Sequence, residues 1–179
     1  MMNMQESLIA AIYEEVELCE YDPSWPATYA AERERLLTLL PGVSIALEHI
    51  GSTAVPGLRA KPIIDILAGV ESMATAEAVA EIICQSGYTT SAEFNETLID
   101  RKWFMRWANG HRTHHLHVVV HDSKAWHERL RFRNALRSQP ELAVRYAALK
   151  SQLAERYATD REAYTDAKAE FVRSVSQDA

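Results

Sequence analysis

The feature that most constrains the fold is an acid set inside an apolar run, Pro62-Ile63-Ile64-Asp65-Ile66-Leu67. A run this rich in isoleucine and leucine reads as a buried strand. A carboxylate carried into such a strand must find a partner or shift its pKa. Asp65 therefore marks a place where polar chemistry meets the sheet. Residues 43–50 form a second apolar run, and Gly51-Ser52-Thr53 separates the two. If the first strand ends at Gly51 and a short helix starts near Thr53, the junction offers backbone N–H groups, a helix dipole and two hydroxyls to an anion. Asp65 on the next strand would hold a cation against that anion. A Gly-Ser turn alone equally fits a tight turn, with Asp65 capping a neighbouring loop.

The chain of 179 residues is long enough for one domain that buries roughly 70% of its unfolded surface. Its 19 basic and 25 acidic residues give a net charge of -6, which argues against general affinity for nucleic acid and leaves room for a local basic patch. Cys19 and Cys84 lie far apart and outside any metal-ligand spacing, so they read as reduced thiols. No apolar run approaches ~20 residues and no basic segment precedes an apolar core, so the expectation is a soluble cytoplasmic protein with no membrane contact.

Along the chain, Leu8, Ile9, Ile12 and Val16 recur at roughly helical spacing. Ser24 is placed to cap a helix over residues 25–40, with Tyr29, Leu36, Leu37 and Leu40 on its buried side and Pro41-Gly42 stopping it. Strands are predicted over 43–50 and 62–70, then a helix over 75–86 ending at Gly87. Residues 88–120 read as antiparallel strands. Arg101, Trp103, Met105 and Trp107 fall on one face of such a strand, Lys102, Phe104 and Arg106 on the other, and Asn109-Gly110 signals a hairpin. The last third is helical. A helix from Asp122 or Ser123 through Arg137 precedes one that begins at Pro140 and carries Leu142, Tyr146, Leu149 and Leu153. Thr159 with Glu162 fits a capping box for a final helix.

The central stretch is longer and more specific than a turn. His49-Ile50-Gly51-Ser52-Thr53-Ala54-Val55-Pro56-Gly57-Leu58, followed by Ala60-Lys61-Pro62-Ile63-Ile64-Asp65-Ile66, resembles the signature of the GrpB family. Tyr21-Asp22-Pro23-Ser24-Trp25 before it, and His114-His115-Leu116-His117-Val118, Phe132-Arg133-Asn134 and Ala148-Leu149-Lys150 after it, extend the resemblance over most of the chain. The resemblance implies the nucleotidyltransferase superfamily, and in some bacteria a similar domain is fused to dephospho-CoA kinase. Members of that superfamily typically hold two acids one residue apart on the strand after the Gly-Ser turn. Asp65 matches the first, but position 67 is Leu, on the same face by alternation. One magnesium ion needs only one or two carboxylates plus phosphates and water; two-metal phosphoryl chemistry loses its second acid. The acid usual after the family's arginine is Asn134 here.

His115 and His117 lie on one face of a strand, with Cα atoms roughly 6.5 to 7 Å apart. That spacing lets two imidazoles converge on one ion, and imidazoles suit zinc or nickel better than magnesium or manganese. Asp65, His115, His117 and His49 are thus a candidate metal set; the same histidines also fit direct hydrogen bonds to Asp65, or purely structural roles. Lys61, just before the Asp65 strand, and Arg101 are candidate phosphate partners. Arg129, Arg133 and Arg137 recur every four residues along a helix, a pattern that fits a solvated face, with Arg133 set apart by its place in the family-like segment. Trp103, Phe104 and Trp107 fit either base stacking or core packing.

These readings combine into a single α+β domain over residues 1–179 of nucleotidyltransferase-like fold: a mixed, mostly antiparallel sheet with helices on one side and a helical C-terminal third. The expected ligand is a phosphate-containing small molecule of the nucleotide or CoA-precursor class. Gly51, Ser52 and Thr53 would hold phosphate, with Lys61, Arg101 and Arg133 neutralising charge. Asp65 and His117 would serve as catalytic groups in nucleotidyl transfer with a divalent cation. The alternatives are a metal-dependent enzyme with a His/Asp centre and a non-catalytic ligand-binding or regulatory module.

Overall fold

The computed structural model of the chain describes residues 3–178. Strands β1 (Ala46–Ile50), β2 (Ile64–Val70), β3 (Tyr88–Thr89), β4 (Arg101–Ala108) and β5 (His111–Val120) form one sheet in the order β1-β2-β5-β4-β3. Every neighbouring pair is antiparallel except β2 and β5, which run parallel, so the sheet is mixed and mostly antiparallel as expected. The helices are α1 (Met4–Ile12), α2 (Trp25–Leu39), α3 (Met73–Gln85), α4 (Ala92–Thr97), α5 (Lys124–Ser138), α6 (Pro140–Arg156) and α7 (Arg161–Asp178).

Alternation along β2 divides the core. Ile64, Ile66, Ala68 and Val70 face Leu36 and Leu40 near the end of α2, Val79 and Ile83 of α3, and Phe104, Leu116 and Val118 of the neighbouring strands. On the opposite face Leu67 and Val119 meet Ala125 and Trp126 at the start of α5. Trp126 lies so close over β2 that a Cβ on Gly69 would stand 2.8 Å from its ring. Helices α2 and α3 therefore cover one face, while α5 covers only part of the other. The rest of that second face, around Asp65, is left open. This is how the chain affords a carboxylate in a strand otherwise buried on both sides.

Local chemistry accounts for where the elements begin and end. Pro62 has no N–H, and the Ile63 N–H turns back to the Lys61 carbonyl at 2.7 Å, so ladder pairing starts at Ile64 rather than at 62. Asn109 and Gly110 take φ of 52° and 82°, the two left-handed positions of a type I′ hairpin. Ser123 caps α5 through its hydroxyl, and Pro140 opens α6. Two expected caps are not used. Ser24 has helical backbone angles and no side-chain cap; instead Asp22 Oδ1 accepts the Ser24 N–H at 2.8 Å. At α7, Asp160 Oδ1 accepts the Ala163 N–H at 2.9 Å, in place of a Thr159–Glu162 box. Helix α4, capped by Ser91, interrupts the expected run of strands. It is pinned by Asn95, whose side chain bonds both the N–H and the C=O of Trp103.

The helical third is tied to the signature loop. Val55 and Leu58, both nearly fully buried, pack with Phe132, Leu136 and Tyr146 and with Phe171, Val172 and Val175. The loop after β1 is thereby clamped between α5, α6 and α7, which brings residues from the end of the chain over Asp65.

Candidate functional site

Parallel pairing sets Asp65 beside His115 and Leu67 beside His117, while β4 sets Trp103 opposite His117 and Met105 opposite His115. His115 Nδ1 lies 3.2 Å and His117 Nε2 3.7 Å from the same oxygen, Asp65 Oδ1. The other ring nitrogens, His115 Nε2 and His117 Nδ1, are buried without a hydrogen-bond partner. Burial alone would raise the Asp65 carboxyl, but the bonds and charge of the two histidines outweigh it and hold the acid well below the usual carboxylate range. Burial pushes His117 down to about 4 and lowers His115 as well, against the pull of Asp65. At neutral pH an ionised Asp65 thus faces two neutral imidazoles.

Gly51 closes the other side of the carboxylate. Its φ of 71° and ψ of -172° belong to a region open almost only to glycine. A Cβ there would stand 2.4 Å from Asp65 Oδ2. The turn that follows is one 3-10 turn, Ser52–Ala54, rather than the expected helix from Thr53. A single turn carries little dipole.

Above these residues opens a cleft of about 960 Å³. Lys61, Arg101, Arg112, Lys150, Arg161 and Lys168 line it, against three acids, Asp65, Glu162 and Asp166. The charge of the whole chain, -6, is reversed here. Trp103, Phe94, Leu98 and Met105 form an apolar wall, with Trp103 edge-on to Phe94 at 5.6 Å and tilted over His115 at 5.3 Å.

Of the residues singled out in the sequence, the structure brings Gly51, Ser52, Thr53, Lys61, Asp65, Arg101, His115 and His117 to this cleft. The Thr53 hydroxyl, however, is bound to His49 Nε2 at 3.0 Å and to the Ile63 carbonyl at 3.3 Å, so it is committed inside the protein. His49 does not join Asp65. It pairs with Ile66 across the sheet, which puts it on the opposite face, and it stacks on Tyr29 at 4.8 Å. Arg133 does not reach the cleft lining either. Its guanidinium is buried against Glu48 at 2.6 Å and the His49 carbonyl at 2.9 Å, and Asn134 Oδ1 accepts from its Nε, so this arginine ties α5 to β1. The expected solvated arginine face is likewise interrupted by this buried member. Phe104 is fully buried in the core, and a register shift after Arg106 breaks the alternation before Trp107.

Sequence reasoning missed Lys150, Lys168, Arg112 and Arg161 as site residues. Lys150 donates to Ser52 Oγ at 3.0 Å and to the Arg59 carbonyl. Arg112 and Arg161 are held by the Ala11 and Glu14 carbonyls and, for Arg161, by the Glu14 carboxylate at 2.8 Å. A signal did exist: Arg161, Tyr164, Thr165 and Lys168 recur at i, i+3, i+4 and i+7, one face of α7.

The profile of the family described as GrpB protein matches residues 15–178. The chain belongs to the GrpB family. It is 35% identical to the Glutamate-rich protein GrpB of Alkalihalophilus pseudofirmus, over 90% of this chain and 94% of that protein. It is also 35% identical to the UPF0157 protein YqkA of Bacillus subtilis, over 92% of this chain, yet it spans only about half (47%) of that longer relative. The crystal structure of conserved protein GrpB from Enterococcus faecalis superposes with a TM-score of 0.80 at 33% identity, covering 90% of this chain and 96% of that one. A dephospho-CoA kinase of Mycolicibacterium paratuberculosis is 28% identical over 89% of this chain and 45% of its own length.

The donor set of this GrpB-family cleft falls short of a metal centre. Leu67, where a second acid would stand, is fully buried in the cluster of Val119 and Trp126, so the residues do not fit a two-ion centre. Both imidazoles aim a nitrogen at one Asp65 oxygen, His49 is on the far face, and among the described residues no group of three His, Cys, Asp or Glu side chains is arranged to hold a metal ion. The arrangement fits a carboxylate hydrogen-bonded by histidine better than a metal centre. Among the described residues no helix is long and apolar enough to cross a membrane.

Proposed function

We propose that the cleft binds a phosphate-containing small molecule of the nucleotide or CoA-precursor class, on a domain of nucleotidyltransferase-like fold. The observation that carries this reading is the cleft itself: six basic side chains against three acids, over the Gly51-Ser52 turn, in a chain of net charge -6. Its volume lies within the usual range for small-molecule sites, and its apolar wall beside a cluster of charge suits a ligand with an organic part and an anionic part. The likeness to a dephospho-CoA kinase points to the same ligand class.

In the catalytic form of this reading an acceptor hydroxyl attacks the α-phosphorus of a nucleotide and pyrophosphate leaves. Ionised Asp65, which lines the cleft and accepts from His115 Nδ1 at 3.2 Å, accepts the hydroxyl proton, while His117 remains a neutral imidazole beside it. Arg101 and the lysines stabilise charge on the phosphates, so positioning and electrostatics supply most of the rate. A non-catalytic binding module is the second reading, favoured by the apolar Leu67 in place of a second acid.

Thermal-shift and calorimetric titration with nucleotides and CoA precursors, with magnesium, manganese, zinc or EDTA, tests the proposal. A bound ligand at a hundredfold excess over its Kd stabilises the fold by ~2.7 kcal/mol. Asp65→Ala should alter turnover more than binding if the protein is an enzyme. If no member of the panel shifts the melting curve under any condition, the small-molecule reading fails.

A further inference from the structure

Lys61 precedes β2, Lys150 lies on α6 and Lys168 on α7, and only the tertiary fold brings them into one cleft. Lys61 Nζ and Lys168 Nζ sit over the same ring, that of Tyr164, at 5.1 and 4.2 Å from its centroid. Among the described residues neither ammonium has an acid within salt-bridge distance or a hydrogen-bond acceptor, and Arg101 also lacks an acidic partner. Lys150 is fixed to Ser52 Oγ, which places its charge at the Gly51-Ser52 turn. The buried anion nearest to this set, Asp65, is already engaged by His115.

We infer that Lys61, Lys150 and Lys168, with Ser52, form a cradle for the di- or triphosphate group of the ligand and bind it without a divalent cation. The inference rests on the phosphate-ligand reading above and sharpens it. Like charges gathered in a half-buried cleft repel one another and lose hydration, so the cluster is arranged for an anion that it does not itself contain. Burial first, and repulsion by neighbouring cations second, push Lys61 and Lys150 down to about 7, while burial pushes Lys168 down to about 8. Each lysine is a flexible point charge with three donors, suited to phosphate oxygens spread over two or three groups. Neutralisation is the usual task of magnesium at a polyphosphate. Here the second carboxylate needed for a pair of ions is replaced by buried Leu67, and three ammoniums occupy the cleft instead.

The experiment is isothermal titration of the whole chain with inorganic tripolyphosphate and with a panel of nucleoside triphosphates and CoA precursors, in EDTA and in magnesium. Wild type is compared with Lys61→Met, Lys168→Met and the double variant. Lys102→Met, on the opposite face and paired with Glu77, is the control. The expected result is tripolyphosphate binding in EDTA, weakened at least tenfold by each cleft substitution and unchanged by the control. The cleft variants should also melt at or above the wild-type temperature, because each removes a repelled charge. A melting temperature that falls together with affinity would show a structural role and overturn the cradle. If nucleotides bind only with magnesium and the lysine variants bind them equally well, the cradle is wrong while the phosphate-ligand reading stands. If nothing binds in any condition, both are wrong.

Discussion

Gly51→Ala tests whether the signature turn exists to press its backbone against the Asp65 carboxylate. The native φ of 71° with ψ of -172° costs a residue with a side chain roughly 1–3 kcal/mol. The added methyl would meet Asp65 Oδ2 at 2.4 Å and Asp65 Cβ at 3.0 Å, where ordinary contacts are well over 3 Å. Relief requires Asp65 to turn away from His115, and overpacking of this kind costs about 1–3 kcal/mol more. The sum is about 2–6 kcal/mol, and its midpoint of about 4 kcal/mol is a fall in Tm of roughly 8–16 °C for a chain of this size. Urea unfolding of Gly51→Ala, Asp65→Ala and the double variant separates the two parts. In the Asp65→Ala background the cost of the alanine should shrink toward the backbone part alone, because the oxygen it strikes is gone. A Gly51→Ala protein within 0.5 kcal/mol of wild type, or equal costs in both backgrounds, would refute the argument.

Four further outcomes are expected. His49, His114 and His117 each have a folded pKa pushed down to about 4, chiefly by burial, from an ordinary 6.5. The unfolded chain then binds more protons between those values, so stability falls as pH drops from 6.5 toward 4, by up to ~1.4 kcal/mol per pH unit for each histidine; urea midpoints that stay flat over pH 7 to 4.5 would contradict this. Anion binding at pH 8 should take up protons, because Lys61 (facing Lys168, Arg161, Arg112 and Asp65) and Lys150 (facing Lys168, Arg59 and Asp65) are largely neutral there and must charge; calorimetry in buffers of different ionisation enthalpy reads the number directly. Asp160→Ala should cost about 1 kcal/mol and Thr159→Ala little, by denaturant unfolding, since only the aspartate caps α7. Glu32 is buried and accepts from Arg35 at 2.6 Å, Arg106 at 2.5 Å and Tyr88 at 2.8 Å, so Glu32→Ala should destabilise by about 2–3 kcal/mol, less than a fully buried pair because both arginines are a third exposed. Ligand affinity should be unchanged in that variant, which lies across the sheet from the cleft.

Much of this molecule was legible in the residues themselves. Period-two alternation about Asp65, the Asn109-Gly110 turn and proline at the start of α6 each act within a few residues, and each element formed where those local rules put it. The same rules set Asp65, His115 and His117 on strand faces that a sheet could bring together. Short-range chemistry was also where the finer errors arose, because neighbouring residues compete for one role: Asp160 caps α7 at the Ala163 N–H where a Thr159 box was expected, and Asp22 binds the Ser24 N–H where Ser24 itself was expected to cap α2. What the sequence left open depended on pairing between distant segments. The β1–β2 register put His49 behind the sheet, and packing of α5 on β1 drew Arg133 into a buried ion pair. Folding of the helical third over the Val55-Pro56-Gly57-Leu58 loop carried Lys150 and Lys168 to within reach of Ser52 and Lys61. Periodicity reports which residues share a face, but not what that face will meet; Tyr164 and Lys168 on α7 look solvated until the sheet beneath them supplies Asp65, Lys61 and a cleft.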